Sequence, residues 1–347
     1  MYPARSMTAT EGPFRLSNSW CLGVDTRCSH GMALRRHGAS SPVHRTRPPR
    51  RSPRTLCPQR AGWTDARPHP LGSLDVASQM NEPTSTSLHP EDALELLDRV
   101  AIGIRRAVAE VDDRRARSNR SGQYALDLAA DGGAVASLTA AGLGVLSEES
   151  GHHHPERPLQ VVLDPVDGST NASRGLPWWA TSACILDAEG PWVSLVRNQA
   201  IGTTYTAVRG GGAERDGRRL APIEAPSVDD SMAAINGTPV SHLGWKQFRS
   251  FGAAALDVCA VADGGLDVYL DATTTGNAQW DFLGGLLILT EVGGVMLDAQ
   301  DRSIVAISPP ERRQPIAARS QAAAAEARRR AQSSGWWQTS VHWTDRL

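Results

Sequence analysis

Leu163-Asp164-Pro165-Val166-Asp167-Gly168-Ser169-Thr170-Asn171 is the stretch whose reading decides this chain. The apolar run Leu159–Leu163 upstream of it, broken only by Gln160, reads as a buried strand. Asp164-Pro165 should end that strand, because proline cannot donate to a ladder. Asp167-Gly168 then turns the chain, and Ser169-Thr170-Asn171 are helix-start residues. Two carboxylates therefore sit where a strand gives way to a turn or helix. Gly168 lets backbone N–H groups approach something closely, and the free N–H groups of a helix start favour an anion. Hard carboxylate oxygens beside such a cradle suit Mg²⁺ and a phosphate. The same residue types also build a strand-end Asx-turn with no ligand. This stretch alone leaves both readings open.

Two further acidic sites flank it. Gly144–Ser147 reads as a short strand running into Glu148-Glu149-Ser150-Gly151. Trp280-Asp281 opens the clearest helix in the chain, Phe282–Val292, closed by Gly293-Gly294. His152-His153-His154 suggest a metal, but adjacent side chains diverge and an exposed loop accounts for them.

The remaining elements follow from periodicity. Ser87–Asp92 starts a helix, with Pro90 near its first turn, that runs to about Val111 with Leu94, Leu97, Val100, Ile102, Ile104 and Val108 as its apolar face. Tyr124–Asp131 reads as strand-like and Ala134–Ala141 as a helix. Strands are expected at Trp179–Leu186, Trp192–Arg197 and Thr203–Arg209, with Gly210-Gly211-Gly212 as a hairpin turn. Met232–Ile235 and Leu266–Leu270 read as strands, Ser241–Ser250 as helix or loop, and Gly252–Ala262 as a helix. Val295–Leu297 is a further strand and Ala317–Arg330 a final helix. Helices on an antiparallel sheet are expected over 86–228, and an alternating α/β half over 229–331. Residues 332–347 carry several tryptophans and no pattern.

Charge is divided unevenly. Residues 1–79 hold 12 arginines against four acids, a net of +8, so the remainder carries −9 of the overall −1. An acidic body argues against nucleic acid as the main partner. Of the five cysteines, Cys21, Cys28 and Cys57 lie in the basic leader, while Cys184 and Cys259 read as small core residues. Nothing demands an oxidising compartment, so the cytoplasm is expected. No apolar run approaches the roughly 18 residues of a membrane span. The leader, residues 1–85, has too little apolar surface to offset its ordering entropy, and disorder is expected. It could be a transit peptide or a basic arm for nucleic acid. The composition shift at Met80 favours a third reading, that it is not part of the natural protein.

Glu148-Glu149, Asp164-Pro-Val-Asp-Gly-Ser-Thr-Asn and Trp280-Asp281 with Glu291-Val-Gly-Gly together resemble the inositol monophosphatase family of Mg²⁺-dependent, lithium-sensitive phosphatases. The similarity covers roughly Pro90 to Arg330. It implies a layered α/β (α+β) sandwich of the sugar-phosphatase αβαβα type. It implies hydrolysis of inositol 1-phosphate or a similar small polyol or sugar phosphate by two or three Mg²⁺ ions and water. Fructose-bisphosphatase or histidinol-phosphatase activity, or a non-catalytic phosphate-binding member of the fold, are the alternatives. Position by position, Glu148, Asp164, the Val166 carbonyl, Asp167 and Asp281 fall where the family binds metal. Gly168 and Ser169 fall where backbone N–H groups hold the phosphate, with Asp167 and Thr170 beside them in the substrate-binding set. Ser169 also matches the hydroxyl that positions the attacking water, and Asp131 the aspartate that hydrogen-bonds that hydroxyl. Ala254 and Asp271 fall where the substrate's alcohol portion is contacted. The family often forms homodimers.

Overall fold

The computed structural model describes residues 88–119, 122–307 and 310–336. The basic leader, with its expected disorder, and most of the 332–347 tail lie outside those residues. Everything described belongs to one compact unit, Met80–Leu347.

Helix α1, Pro90–Ala109, starts at its proline with Glu91 and Asp92 in the first turn, and buries Leu97, Val100, Ile104 and Val108 of the expected face, while Leu94 and Ile102 are half-buried at its margins. Helix α2, Ala125–Ala140, replaces the strand expected at Tyr124–Asp131. Its start is fixed by Asp127, whose Oδ2 accepts the Tyr124 N–H at 2.8 Å. A carboxylate in the first turn both caps a free N–H and complements the helix dipole.

A large sheet follows: β1 (Gly144–Ser147), β2 (Gly151–His153), β3 (Gln160–Asp167), β4 (Ala180–Asp187), β5 (Gly190–Asn198), β6 (Thr204–Val208), β7 (Gly212–Arg215) and β8 (Arg218–Arg219). The six-residue helix α3, Ser169–Arg174, lies between β3 and β4. The spatial order is β2-β1-β3-β4-β5-β6-β7-β8. β1 and β3 are parallel and every other neighbouring pair is antiparallel. The Gly210–Gly212 stretch turns β6 into β7 as a hairpin. The histidines sit on the β2 edge, where His153 Nε2 meets Ser150 Oγ at 2.8 Å and His154 faces Glu156.

The second sheet is built from β9 (Met232–Asn236), β10 (Gln247–Arg249), β11 (Val268–Asp271), β12 (Val295–Asp298) and β13 (Pro315–Ala318). Its order is β10-β9-β11-β13-β12, with β13 antiparallel to both neighbours. Helices α4 (Ala254–Ala262), α5 (Gln279–Glu291) and α6 (Gln321–Ser333) complete the chain. Ser241–Ser250, open between helix and loop in sequence, contributes the short edge strand β10. The expected helix Ala317–Arg330 is two elements, because its first residues finish β13 before Ser320 caps α6 by accepting the Ala323 N–H.

These elements stack as α-β-α-β-α. The alternation along β3 and β4 sorts side chains between two cores. Val161, Leu163, Ala183 and Ile185 face α1 and α2, whereas Val162, Cys184 and Leu186 face α4 and α5. Cys184 and Cys259 are buried free thiols, as their apolar surroundings require. The far side of the second sheet, with Ile235, Leu270 and Ile316, is covered by the alanine face of α6. Helix α5 is apolar on most of its circumference because it lies between two layers. A Cβ on Gly284 would meet Ser182 Oγ at 2.6 Å, and one on Gly285 would meet Val258 Cβ at 2.8 Å. The two glycines therefore set how closely α5 approaches β4 on one side and α4 on the other.

Candidate active site

Ser147 of β1 is paired with Leu163 of β3 in parallel register. The two strands therefore deliver the residues that follow, Glu148 and Asp164, to the same edge. The Glu148 N–H donates to the Leu163 carbonyl at 3.1 Å. Pro165 does not end β3. The pairing with β4 slips between Asp164 and Asp167, so Pro165-Val166 form a bulge and Asp167 regains the ladder opposite Ala180. A bulge tolerates the missing proline donor and turns side chains to a new direction. Asp164 Oδ1 accepts the Val166 N–H at 2.9 Å, and Thr181 Oγ1 donates to the Pro165 carbonyl at 2.9 Å.

Gly168 then caps α3 at φ 85°. A Cβ there would stand 2.9 Å from the Gly252 carbonyl and 3.2 Å from the Trp178 carbonyl, so the left-handed turn and the close packing both demand glycine. Asp281 stands in the first turn of α5. Its Oδ2 accepts the Ala278 N–H at 2.8 Å and the Asn277 side-chain amide at 3.0 Å.

The structure thus brings Glu148, Asp164 and Asp281 together, with one carboxylate oxygen from each within 4.8 Å of the others. Burial, then the charges of Asp281 and Glu149, pushes Glu148 up to about 8. Burial and the Glu148 charge hold Asp164 well above the usual carboxylate range. Burial raises Asp281 too, opposed by its bonds from Asn277 and Ala278 and by the charge of Arg312. Three hard oxygen donors, withdrawn from water and repelling one another, fit a divalent cation of the Mg²⁺ kind.

Asp167 is adjacent but differently held. Its carboxylate accepts the N–H groups of Ala254 at 3.2 Å and Ala255 at 2.8 Å, at the start of α4. Burial and then the Asp281 charge raise it well above the ordinary range. Each oxygen keeps a further lone pair, so a ligand role is compatible with these bonds. Ala254 is buried, with its N–H given to Asp167. Ser169 is half-buried, and the exposed Thr170 has its Oγ1 3.3 Å from the Tyr124 hydroxyl.

Two expected roles are not met. Asp131 accepts a hydrogen bond from Ser147 Oγ rather than from Ser169, because α2 carries it one turn beyond the helix start. Asp127 occupies that start instead. Burial pushes it up to about 7, and Glu149 is the charge that adds to it. Asp271 is fully buried, so it cannot touch a substrate. Its oxygens accept from Asn236 at 3.1 Å and from the Thr273 N–H and Oγ1 at 3.0 Å each.

Sequence reasoning also passed over Gln123, whose amide donates to Glu149, and Asn277. It passed over Asn171 as well, whose side-chain amide donates to the carbonyls of Trp178 and Phe251 at 2.7 Å each. The position of Asn171 inside the quoted stretch was the available signal.

An αβαβα sandwich with a carboxylate cluster between a strand edge and a helix start defines a sugar-phosphatase-type protein. The chain belongs to the inositol monophosphatase family, whose profile matches residues 107–334. Among curated relatives, it is 32% identical over 169 residues to Nus factor SuhB of Salmonella typhimurium, covering 44% of this chain and 62% of that one. The chain thus spans less than two thirds of the SuhB relatives. It is 30% identical over 223 residues to the fructose-1,6-bisphosphatase/inositol-1-monophosphatase of Archaeoglobus fulgidus, covering 61% of this chain and 87% of the other. The solved inositol monophosphatase of Anabaena shares the fold at a TM-score of 0.59 and 20% identity, over 70% of this chain and 96% of that one. Among the described residues, no helix is long and apolar enough to cross a membrane.

Proposed function

We propose that the chain hydrolyses the phosphate monoester of a small polyol or sugar, with inositol 1-phosphate as the reference substrate, using two or three Mg²⁺ ions. The observation that carries this reading is the meeting of Glu148, Asp164 and Asp281 oxygens within 4.8 Å. These three would hold the cation, and the Val166 carbonyl and Asp167 would extend the set. Bound there, Mg²⁺ supplies an acidified water and neutralises charge on the leaving oxygen.

The chain's own residues do the rest. The N–H groups of Ser169, Thr170 and Asn171 open α3 without intrahelical acceptors, and are donors for phosphate oxygens. The Ser169 hydroxyl orients the attacking water, and Glu148, a bare carboxylate once it holds the cation, is the acceptor beside that water. Asp127 rather than Asp131 supports this end of the site. Asp167, held by α4, keeps the phosphate turn and the start of α4 in register. The protein acts in the cytoplasm as a homodimer in this reading.

The relatives named Nus factor SuhB favour a second reading, a regulatory role independent of turnover. The retained acids speak against it, because a binding module has no need of a full metal set. Purified protein should release phosphate from inositol 1-phosphate, fructose 1,6-bisphosphate or histidinol phosphate with Mg²⁺, and lithium should slow it. Turnover of none of the three, with Mg²⁺ bound, would favour the second reading.

A further inference from the structure

The acid expected to contact the substrate's alcohol portion, Asp271, is buried beneath Thr273. Something else must form that side of the site. β13 runs antiparallel to β11, with Ile316 opposite Leu270, so the residues just before β13 lie beside the end of β11 and the start of α5. Asn277 and Arg313 exchange backbone hydrogen bonds there, at 2.7 and 2.9 Å. Arg312 Nη1 donates to the Gly276 carbonyl at 2.8 Å. The neighbouring Asn277 side chain is the one that holds Asp281. Arg312 therefore docks on the loop that leads directly into the metal-ligating helix.

The arginines around it are matched. Arg313 is buried and pairs with Glu311 at 2.8 Å, and Arg302 pairs with Asp298 at 2.8 Å. Arg312 is exposed, and among the described residues no carboxylate lies within ion-pair distance of it. Among the described residues, one of its five N–H donors has an acceptor, the Gly276 carbonyl. Thr274 and Thr275, in the same loop as Gly276, are exposed. A planar fork of donors beside the loop that leads into the Asp281 helix is suited to an oxyanion, and ill-suited to a neutral ring hydroxyl.

We infer that Arg312 reads a second anionic group, a phosphate or a carboxylate, on the alcohol portion of the substrate, and so favours doubly anionic monoesters over neutral polyol phosphates. The inference rests on the phosphatase reading above.

The test compares wild type, Arg312→Gln and Arg312→Lys in steady state with Mg²⁺. The substrates are fructose 1,6-bisphosphate, 3-phosphoglycerate and inositol 1-phosphate. Wild type should favour one or both anionic substrates in kcat/KM over inositol 1-phosphate. Arg312→Gln should lower that ratio about tenfold, chiefly through KM, as loss of a charged hydrogen bond does. Arg312→Lys should keep part of the ratio, which separates loss of charge from loss of folding. A ratio that falls only for the bisphosphate identifies a second phosphate, and only for phosphoglycerate a carboxylate. Hydrolysis of inositol 1-phosphate with no anionic preference, or a ratio unmoved by Arg312→Gln, overturns the inference and leaves the phosphatase reading standing. Hydrolysis of none of the three overturns both.

Discussion

The side-chain amide of Asn171 donates to the Phe251 carbonyl at 2.7 Å, across 80 residues of sequence. The same amide donates to the Trp178 carbonyl at 2.7 Å. One side chain thus ties α3 to the segment that leads into α4, and α4 in turn holds Asp167. Asn171→Asp keeps the shape but turns two donors into acceptors that face carbonyls. Unfolding in urea should show a loss of about 2 kcal/mol or more, from two broken bonds and two unsatisfied acceptors. An unfolding free energy equal to that of wild type would show that the tie carries nothing.

Gly168 and Gly175 cap the two ends of α3, at φ 85° and 72°. They differ in their surroundings, because a Cβ on Gly175 meets nothing within 4 Å whereas one on Gly168 meets two carbonyls and Ala253. Gly175→Ala should lose only the left-handed penalty, about 1–2 kcal/mol. Gly168→Ala should lose more and should also abolish phosphate release, because Gly252 must move. Equal thermal unfolding midpoints for the two variants would contradict the packing argument.

Asp257 is buried, accepts the Trp178 indole N–H at 2.8 Å, and is pushed up to about 8 by burial. Between its ordinary value near 4 and about 8, the folded chain keeps a proton that the unfolded chain has released. The folded state thus binds more protons in that window, and stability falls as pH rises through it. Asp257→Asn has no proton to lose, so its metal-free thermal midpoint should drop less between pH 5 and pH 8 than that of wild type. Identical slopes would place the Asp257 carboxylate in a more polar setting than its burial implies.

Asp127 and Asp131 lie one turn apart on α2 and have opposite consequences. Asp127→Asn should lower kcat at least about tenfold, the scale of a group that assists proton transfer. Asp131→Asn retains an acceptor for Ser147 and should stay within about threefold, a free-energy change of under 1 kcal/mol. The reverse order in phosphate-release kinetics would restore Asp131 to the role that its sequence position suggests.

The reach of sequence reasoning followed from what each signal depends on. The Asp164–Asn171 stretch and the Asp281 helix start are local patterns, and the structure brings their acids together. Periodicity showed helices on an antiparallel sheet and then an alternating α/β half, and the layered sandwich itself was legible only through the family resemblance that these motifs carry. The start of α2 was misread because Gly132-Gly133 interrupt the helix pattern and Tyr124 offers strand propensity. Its capping acid, Asp127, was therefore passed over, and Asp131, one turn further on, was given the role. β13 was hidden in a run of alanines that serve first a buried strand and then a helix face. Asp271 and Arg312 could not be placed from sequence at all. The burial of one and the exposure of the other depend on how the 272–278 loop docks on the residues before β13.

The central claim is that Glu148, Asp164 and Asp281 form a divalent-cation site, and titration calorimetry with Mg²⁺ tests it most directly. Wild type should bind Mg²⁺ more tightly as pH rises from 6 toward 8.5, because Glu148 must give up a proton held at about 8. Asp164→Asn should abolish that heat. Wild-type protein that takes up no Mg²⁺ at any pH, or an Asp164→Asn variant that binds it as wild type does, would contradict the account.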